Sequence, residues 1–345
     1  MREKWIDFLK AVATIAVVQN HLPRAIRLNA TTYIIFSVSL FILLGGGTAA
    51  ISLEHETSLD YKSYVLKKMK RILLPYVIAT CGYVLFENGK LDFSYLMVKI
   101  LTFSEGSLGH MYYLVFYLEL TLIAPVLVRI YKVCEKNEFM QMVLLVCSLI
   151  LSYLFTNYTY CDKFLSAGRY LFGGNYFFLF NLGIYLYFHI RILEKIRAKI
   201  IGILLSLVML GYMVYKQWCL EWWSNPPNEK VMIYTVVIYI LGYSSFTLMQ
   251  KIFEGKRIMV WADRVLNPFI LIGRYSFYVY LWHMIIIDMF GARGMYDKGS
   301  IGIIEKLIIN GFILFLPCLD CIVYEEIKKV FLKYFGFKKQ NLEKC

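Results

Sequence analysis

Long apolar stretches, separated by short polar and charged segments, run through almost the whole chain. Ten of them are 16–24 residues long, a length that suits an α-helix crossing the hydrocarbon core of a bilayer. They lie near 5–22, 31–52, 72–87, 108–131, 140–157, 172–189, 199–216, 231–249, 268–290 and 302–324. We therefore predict an all-α fold, a polytopic membrane bundle of about ten transmembrane helices. Residues 1–330 would form a single domain, followed by a basic tail at 331–345.

The first apolar segment carries ionisable residues along one face. It reads WIDFLKAVATIAVVQNH at 5–21. At 100° per residue, Lys10 and His21 differ by about 20° around the helix axis and lie about 16 Å apart along it, while Asp7 falls within about 40° of His21. Ionisable residues at membrane depth usually face a bundle interior or a water-filled cavity and mark a functional site. Taken singly, Lys10 could instead extend to the membrane surface and His21 could cap the helix.

The distribution of charge predicts the orientation of the bundle. The chain is 59% hydrophobic and 18% charged, with a net charge of +13. Twenty-four of its 37 lysines and arginines fall in the segments on the side of the two termini, and ten fall on the opposite side. Because cytoplasmic loops carry an excess of Lys and Arg, both termini should be cytoplasmic and the chain should be a multi-pass protein of the cell membrane. Its expected partners include membrane lipids and exclude nucleic acid.

A basic group precedes the third apolar segment, the shortest of the ten. This group consists of Lys67, Lys68, Lys70 and Arg71, in YVLKKMKRILLPY at 64–76. Lys and Arg donate charge-assisted hydrogen bonds to phosphate, so these side chains suit a phosphorylated cytosolic ligand such as the nucleotide part of coenzyme A. The alternative is an ordinary positive anchor that contacts lipid phosphates.

Other polar residues at membrane depth are His110 and Glu119 in the fourth segment and Ser276 and His283 in the ninth. Read as one helix, the ninth segment places Arg274 and His283, nine positions apart, on opposite faces. His110 could be an interfacial cap and His283 a packing histidine. Glu119 lies deep enough in its helix to need a partner or a proton.

The cysteines do not indicate a metal site. Cys318 and Cys321 form a C-x-x-C pair inside an apolar helix, with neither a second pair nor a histidine nearby. Since a zinc site needs further ligands, we expect buried thiols here and no metal. The chain also has no P-loop, nucleophile elbow, H-E-x-x-H or G-x-G-x-x-G motif of soluble enzymes.

Several stretches combine into a recognisable pattern. The first helix, DFLKAVATIAVVQNH, fits D-x-x-[R/K]-x10-H, and GHMYYL and IGRYSFYVYLWHMII are similar to His-x-Trp-Phe/Tyr-Leu and Gly-x-x-Ser-x-x-x-Tyr-x-x-His. In this order, together with FSVSLFILLGG and the basic KKMKRILLPY, they resemble the acyltransferase-3 family of bacterial membrane enzymes. The chain departs from that family's pattern at Leu44, where a serine is usual, at Tyr112, where a tryptophan is usual, and at Lys10, where arginine is commoner.

The resemblance implies transfer of an acyl group, usually acetyl, from cytosolic acyl-CoA to a hydroxyl of an extracytoplasmic glycan or cell-surface polysaccharide. Acyl-CoA would be a co-substrate, with no permanently bound cofactor. His21 would be the catalytic histidine, and Lys10 and Arg71 would aid catalysis or bind the donor. We expect Asp7 to pair with Lys10 and so offset the cost of burying its charge. We further expect the CoA phosphates to be held by Lys67, Lys68, Lys70 and Arg71, and His21 or the acceptor to be oriented by His110, Glu119, Ser276 and His283.

The residues leave alternatives open. His21 could act as a general base, or it could become acylated in a ping-pong route. A transporter or flippase of a lipid-linked glycan or small solute would use the same intramembrane charges as a pathway, and a non-enzymatic subunit of polysaccharide assembly is a third class. Transporters often contain inverted repeats. The two halves of this chain show no convincing repeat, which favours the enzyme.

Overall fold

The computed structural model describes residues 3–23, 25–28, 35–54, 60–103, 110–160, 170–190, 194–218, 226–254, 257–292 and 301–334. These residues form an all-helical bundle. Its helices are α1 (Lys4–His21), α2 (Ser37–Leu53), α3 (Tyr61–Asn88), α4 (Phe93–Thr102), α5 (Tyr113–Val133), α6 (Glu138–Tyr158), α7 (Tyr176–His189), α8 (Ile196–Tyr215), α9 (Glu229–Phe253), α10 (Arg257–Arg274), α11 (Ser276–Ala292) and α12 (Ile303–Tyr334).

The all-α class and the membrane character are confirmed, whereas the count of ten spans is not. Among the described residues, six helices are long and apolar enough to cross a membrane, or seven if the bent α10–α11 pair is counted as one span. Each of the ten predicted segments overlaps a helix, but α2 and α7 are short, with 17 and 14 residues. The predicted tail also begins inside α12, which continues to Tyr334, and residues 335–345 lie outside the described part of the chain.

The third predicted segment was expected to be the shortest and is instead one of the longest helices. α3 contains 28 residues, because the basic stretch before 72–87 continues the same helix. Asp60 caps its first turn with a side chain that accepts a hydrogen bond from the backbone N–H of Lys62, and Gly89, which adopts the left-handed conformation, follows its last residue. These are common ways to satisfy the backbone groups at the two ends of a helix.

The ninth predicted segment is broken, so the expectation of one straight helix was wrong. α10 and α11 meet at Tyr275 with a bend of 80°. The α10 side is held by close contact of Gly273 with α1, where an added Cβ would lie 1.6 Å from the carbonyl oxygen of Asp7. The Tyr275 hydroxyl donates to Oε2 of Glu325 on α12 at 3.0 Å. Arg274 and His283 therefore lie on different helices, and the angle calculated between them along one helix does not apply.

A further helix, α4, follows α3 and was not among the predicted segments, since its ten residues are too few to span a bilayer. Its Lys99 is buried and contacts Oε2 of Glu87 at 3.7 Å. The hydroxyl of Tyr76 on α3 donates to the backbone carbonyl of Lys99 at 3.0 Å. These contacts attach α4 to the outside of α3.

α1 is buried in the middle of the bundle, in contact with α2, α9, α10, α11 and α12. Its first residues lie near α10, where Lys4 Nζ contacts Oδ1 of Asp263 at 3.1 Å. We call the end of the bundle that contains Lys4 the basic end, and the end that contains His21 the histidine end. α1 connects the two.

Small residues allow α2 and α7 to pack with their backbones in contact. A Cβ added to Gly46 would lie 1.9 Å from the carbonyl oxygen of Phe180, and one added to Gly183 would lie 2.0 Å from that of Leu43. The glycine-rich stretch at 43–50 therefore serves close helix approach, as is common inside membranes.

We expect Gly46→Ala to destabilise the bundle, because the new methyl group would force α2 and α7 apart. Overpacking of this kind typically costs about 1–3 kcal/mol. The measurement is the thermal unfolding midpoint of the detergent-purified protein. Gly211→Ala in α8 is the matched control, since nothing lies within 4 Å of a Cβ added there. Equal midpoints for the two variants would contradict the packing described.

Candidate active site

A cavity of about 400 Å³ lies at the basic end, between α1, α2, α3, α5, α10 and α11. Five residues singled out from the sequence are among those that line it. They are Asp7, Lys10, Lys68, Arg71 and Ser276. Part of the stripe on α1 and part of the basic group on α3 therefore face the same space.

Only half of the basic group on α3 belongs to this cavity. Lys68 and Arg71 are three residues apart, so they share one face of α3, and both line the cavity. Lys67 and Lys70 are exposed, and they are not part of the lining that the described residues form. The structure thus separates four cations that the sequence presented as one group.

The cavity carries an excess of positive charge. Arg274 joins Lys10, Lys68 and Arg71 in its lining, whereas its carboxylates are Glu3 and Asp7. Lys68 Nζ also lies 5.3 Å from the ring centroid of Tyr64, a distance suited to a cation–π contact. A cavity with four cations and two carboxylates favours an anionic ligand, since charge-assisted hydrogen bonds to phosphate or carboxylate are strong.

Three histidines from distant parts of the chain meet at the histidine end. Ring centroids are 5.1 Å apart for His21 and His283, 4.9 Å for His110 and His283, and 5.9 Å for His21 and His110. His110 and His283 are buried, while His21 is exposed. We call these three residues the histidine cluster. Within the described residues, no group of three or more His, Cys, Asp or Glu side chains is arranged to hold a metal ion.

The orientation of the His283 ring follows from its hydrogen bond. Its Nδ1 lies 2.7 Å from the carbonyl oxygen of Tyr280, and a carbonyl can only accept, so Nδ1 carries the hydrogen. In the neutral ring, Nε2 is then an acceptor. That atom is buried and has no hydrogen-bond partner among the residues described. His283 therefore presents a lone pair inside the bundle, next to His21 and His110.

Two tyrosine hydroxyls fix the helix turn that carries His283. The Tyr83 hydroxyl on α3 donates to the carbonyl oxygen of Leu281 at 3.2 Å and accepts from the N–H of Ile285 at 3.1 Å. It thus bridges two backbone groups of α11 that are four residues apart. The Tyr280 hydroxyl donates to the backbone carbonyl of His110. Together these bonds connect α3 and α11 to the start of α5.

The end of α1 is held by Arg27, which fixes the backbone around His21. The guanidinium donates from Nε to the carbonyl of Leu22 at 3.0 Å and from Nη2 to the carbonyl of Asn20 at 3.2 Å. The last carbonyls of a helix have no partner within the helix. A cation there also interacts favourably with the helix dipole.

A hydrogen bond between side chains joins α1 to α12. Gln19 donates from Nε2 to Oδ1 of Asn310, and its Oε1 accepts from the N–H of Leu28 at 3.1 Å. Asn310 in turn donates from Nδ2 to the carbonyl of Ile26 at 3.1 Å. The segment after α1 is thereby tied to both helices. His21 accordingly projects from a fixed helix end.

Glu119 was predicted to orient His21 or the acceptor, but in the structure it contacts the backbone just before α7. Its Oε2 accepts a hydrogen bond from the backbone N–H of Phe172 at 2.9 Å. Phe172 has a φ of 50°, a conformation uncommon for a residue with a side chain. Glu119 therefore supports a turn before α7, and it is not among the residues that line the cavity.

The thiols of the C-x-x-C pair are buried, as expected. Cys318 and Cys321 are free and buried in α12, and the Cys318 thiol donates to the carbonyl of Leu314 at 3.3 Å. They pack within the helix bundle.

The fold and the site together define a multi-pass membrane protein. Its buried helix α1 bears ionisable groups and extends from a cationic cavity to a histidine cluster. A family model described as an acyltransferase domain matches residues 3–319. The chain belongs to this family, acyltransferase family 3, and is a membrane acyltransferase. The resemblance noted in the sequence is confirmed, and membership favours an enzyme over a transporter. Neither the curated proteins nor the solved structures contain a significant match.

We expect Tyr83→Phe to lower stability, since it removes the hydroxyl that bridges Leu281 and Ile285 on α11. Each hydrogen bond lost contributes about 0.5–1.5 kcal/mol. The thermal unfolding midpoint in detergent measures this loss. Tyr215→Phe is the control, because Tyr215 is 78% exposed on α8. A midpoint for Tyr83→Phe as high as that of the control would show that the bridging hydroxyl is unimportant.

Proposed function

We propose that the protein transfers an acyl group, in the first instance acetyl, from cytosolic acyl-CoA to a hydroxyl of an extracytoplasmic glycan or cell-surface polysaccharide. The observation that carries the proposal is the pairing of a cationic cavity at one end of α1 with the histidine cluster at the other. Acyl-CoA is charged and stays in the cytosol, whereas the glycan hydroxyl is outside. Transfer between them needs a reactive group within reach of both sides.

In this proposal the basic end faces the cytoplasm. The ten predicted segments cross the cell membrane, and both termini lie inside, as the excess of Lys and Arg on that side indicates. The cavity then opens toward the compartment that contains acyl-CoA. His21, which is exposed at the histidine end, faces the compartment that contains the glycan.

The donor site is the cavity. Lys68 and Arg71 contact the phosphates of CoA near the cavity mouth, with Lys67 and Lys70 contributing long-range attraction from the neighbouring face. Lys10 lies further along α1 and accompanies the arm that carries the thioester. Asp7 offsets the cost of burying the Lys10 ammonium among apolar helices.

The chemical step uses a histidine as the base. Neutral His21 removes the proton from the acceptor hydroxyl as its oxygen attacks the thioester carbonyl. A C–O bond forms, the C–S bond breaks, and the CoA thiolate leaves and takes up the proton from His21. His110 and His283 orient the His21 ring, and Ser276 belongs to the donor cavity. A route through an acyl-histidine intermediate has the same overall balance of bonds and protons, but it proceeds in two steps.

His21→Ala should lower acyl transfer by about 10²–10⁴-fold, the usual contribution of a general base. The assay uses membrane vesicles from the native cells with [14C]acetyl-CoA and counts label in the polysaccharide fraction together with CoA release. His189→Ala is the matched control, since His189 lies on α7 with its Nδ1 3.0 Å from the carbonyl of Tyr185. Transfer by His21→Ala at the wild-type rate would refute the assignment of the base.

Arg71→Glu should raise the KM for acetyl-CoA by about 10-fold or more, because a charge-assisted hydrogen bond contributes about 1.5–3 kcal/mol. The KM for the acceptor should stay unchanged. Lys70→Glu makes the same change of charge one residue away on an exposed face outside the cavity, and its effect should be smaller. If both variants raise KM equally, the cations act as a general surface field and the cavity is not the donor site.

A further inference from the structure

Two tyrosine rings lie between the donor cavity and the histidine cluster. Tyr113 lines the cavity. Its ring meets that of Tyr280 edge to face, with centroids 4.4 Å apart. The Tyr280 ring in turn lies 5.5 Å from the ring of His110 and 5.9 Å from that of His283. An acyl group that moves from the cavity toward the histidines therefore encounters these rings first.

The rings fill a closely packed space. Tyr113 and Tyr280 are 5% and 3% exposed. The ring of Tyr113 is also 5.8 Å from that of Tyr117 and 6.1 Å from that of Phe116. Closely packed interiors accept extra methylene groups poorly. The space beside Tyr113 is therefore sensitive to the size of any group that enters it.

Tyr113 and Tyr280 differ in their contacts. The Tyr280 hydroxyl donates to the backbone carbonyl of His110, so replacing Tyr280 would disturb the histidine cluster itself. Tyr113 has the ring that borders the cavity. A change in its size alters the passage while the bond between Tyr280 and His110 remains.

We propose that Tyr113 is a specificity-determining residue, whose ring limits the length of the acyl group that can pass from the cavity to the histidine cluster. The inference rests on the proposed function. One extra methylene in a fitted apolar site changes relative rates by about 10–200-fold. Wild-type enzyme should accordingly prefer acetyl over longer acyl groups strongly.

The test compares kcat/KM for hexanoyl-CoA and acetyl-CoA in the vesicle assay. Tyr113→Ala should raise the hexanoyl-to-acetyl ratio by at least about 10-fold. Tyr113→Phe keeps the ring and should leave the ratio at the wild-type value. Tyr117→Ala removes an aromatic ring one turn away on the same helix and the same cavity wall. Its ratio, whatever its rate, should also stay close to that of the wild type.

Each outcome decides between the hypotheses. Wild-type turnover of acetyl-CoA together with an unchanged ratio in Tyr113→Ala would overturn the role of Tyr113 and leave the proposed function standing. An equal rise in Tyr117→Ala would show that general cavity volume, and not Tyr113, sets the chain length. No acetyl-CoA turnover by the wild type would overturn the proposed function and this inference with it. If Tyr113→Ala fails to fold, Tyr113→Leu provides the same comparison with a smaller loss of volume.

Discussion

The cost of placing ionisable groups inside an apolar bundle governs this structure. α1 is surrounded by other helices, yet it carries Asp7, Lys10 and His21. Such groups are tolerated at membrane depth when they face protein or a cavity instead of lipid. Here the first two border a cavity whose other cations come from α3 and α10. His21 meets two further histidines. The neighbouring helices thus supply the polar surroundings that α1 requires.

Close backbone contacts make this arrangement possible. Gly273 allows α10 to approach the carbonyl of Asp7, and Gly46 and Gly183 allow α2 and α7 to touch. In a membrane, helix association depends on close packing and on polar contacts between helices. The glycines supply the packing. The polar contacts come from hydrogen bonds such as those between Gln19 and Asn310 and between Tyr83 and α11.

Periodicity along the chain predicted the features that belong to single helices. It placed Lys10 and His21 on one face of α1, and a family pattern identified the class of enzyme. Periodicity could not separate Lys68 and Arg71 from Lys67 and Lys70, since at 100° per residue Arg71 lies about 40° from Lys67 and about 60° from Lys68. The start of α3 was missed as well, because the charged residues lower the hydrophobicity of 61–71 and predicted a later start for the helix.

Features that depend on contacts between helices could not be predicted from the sequence. The histidine cluster joins residues 21, 110 and 283, and no local pattern shows that these three approach each other. The bend at Tyr275 is accompanied by contacts to Asp7 and Glu325 on other helices. Tyr113 and Tyr280 fall within two of the quoted family motifs, but the contact between their rings could not be predicted, and nothing distinguished Tyr83 among the 28 tyrosines. Their importance comes from what they touch.

The rings of Tyr113 and Tyr280 have one more consequence. A protein that admits polar molecules from both sides of a bilayer risks becoming a leak for protons and other ions, which would dissipate the membrane potential. Two phenol rings in edge-to-face contact interrupt the path with apolar surface. Under the proposed topology, the enzyme can then serve two aqueous compartments while the barrier between them stays sealed.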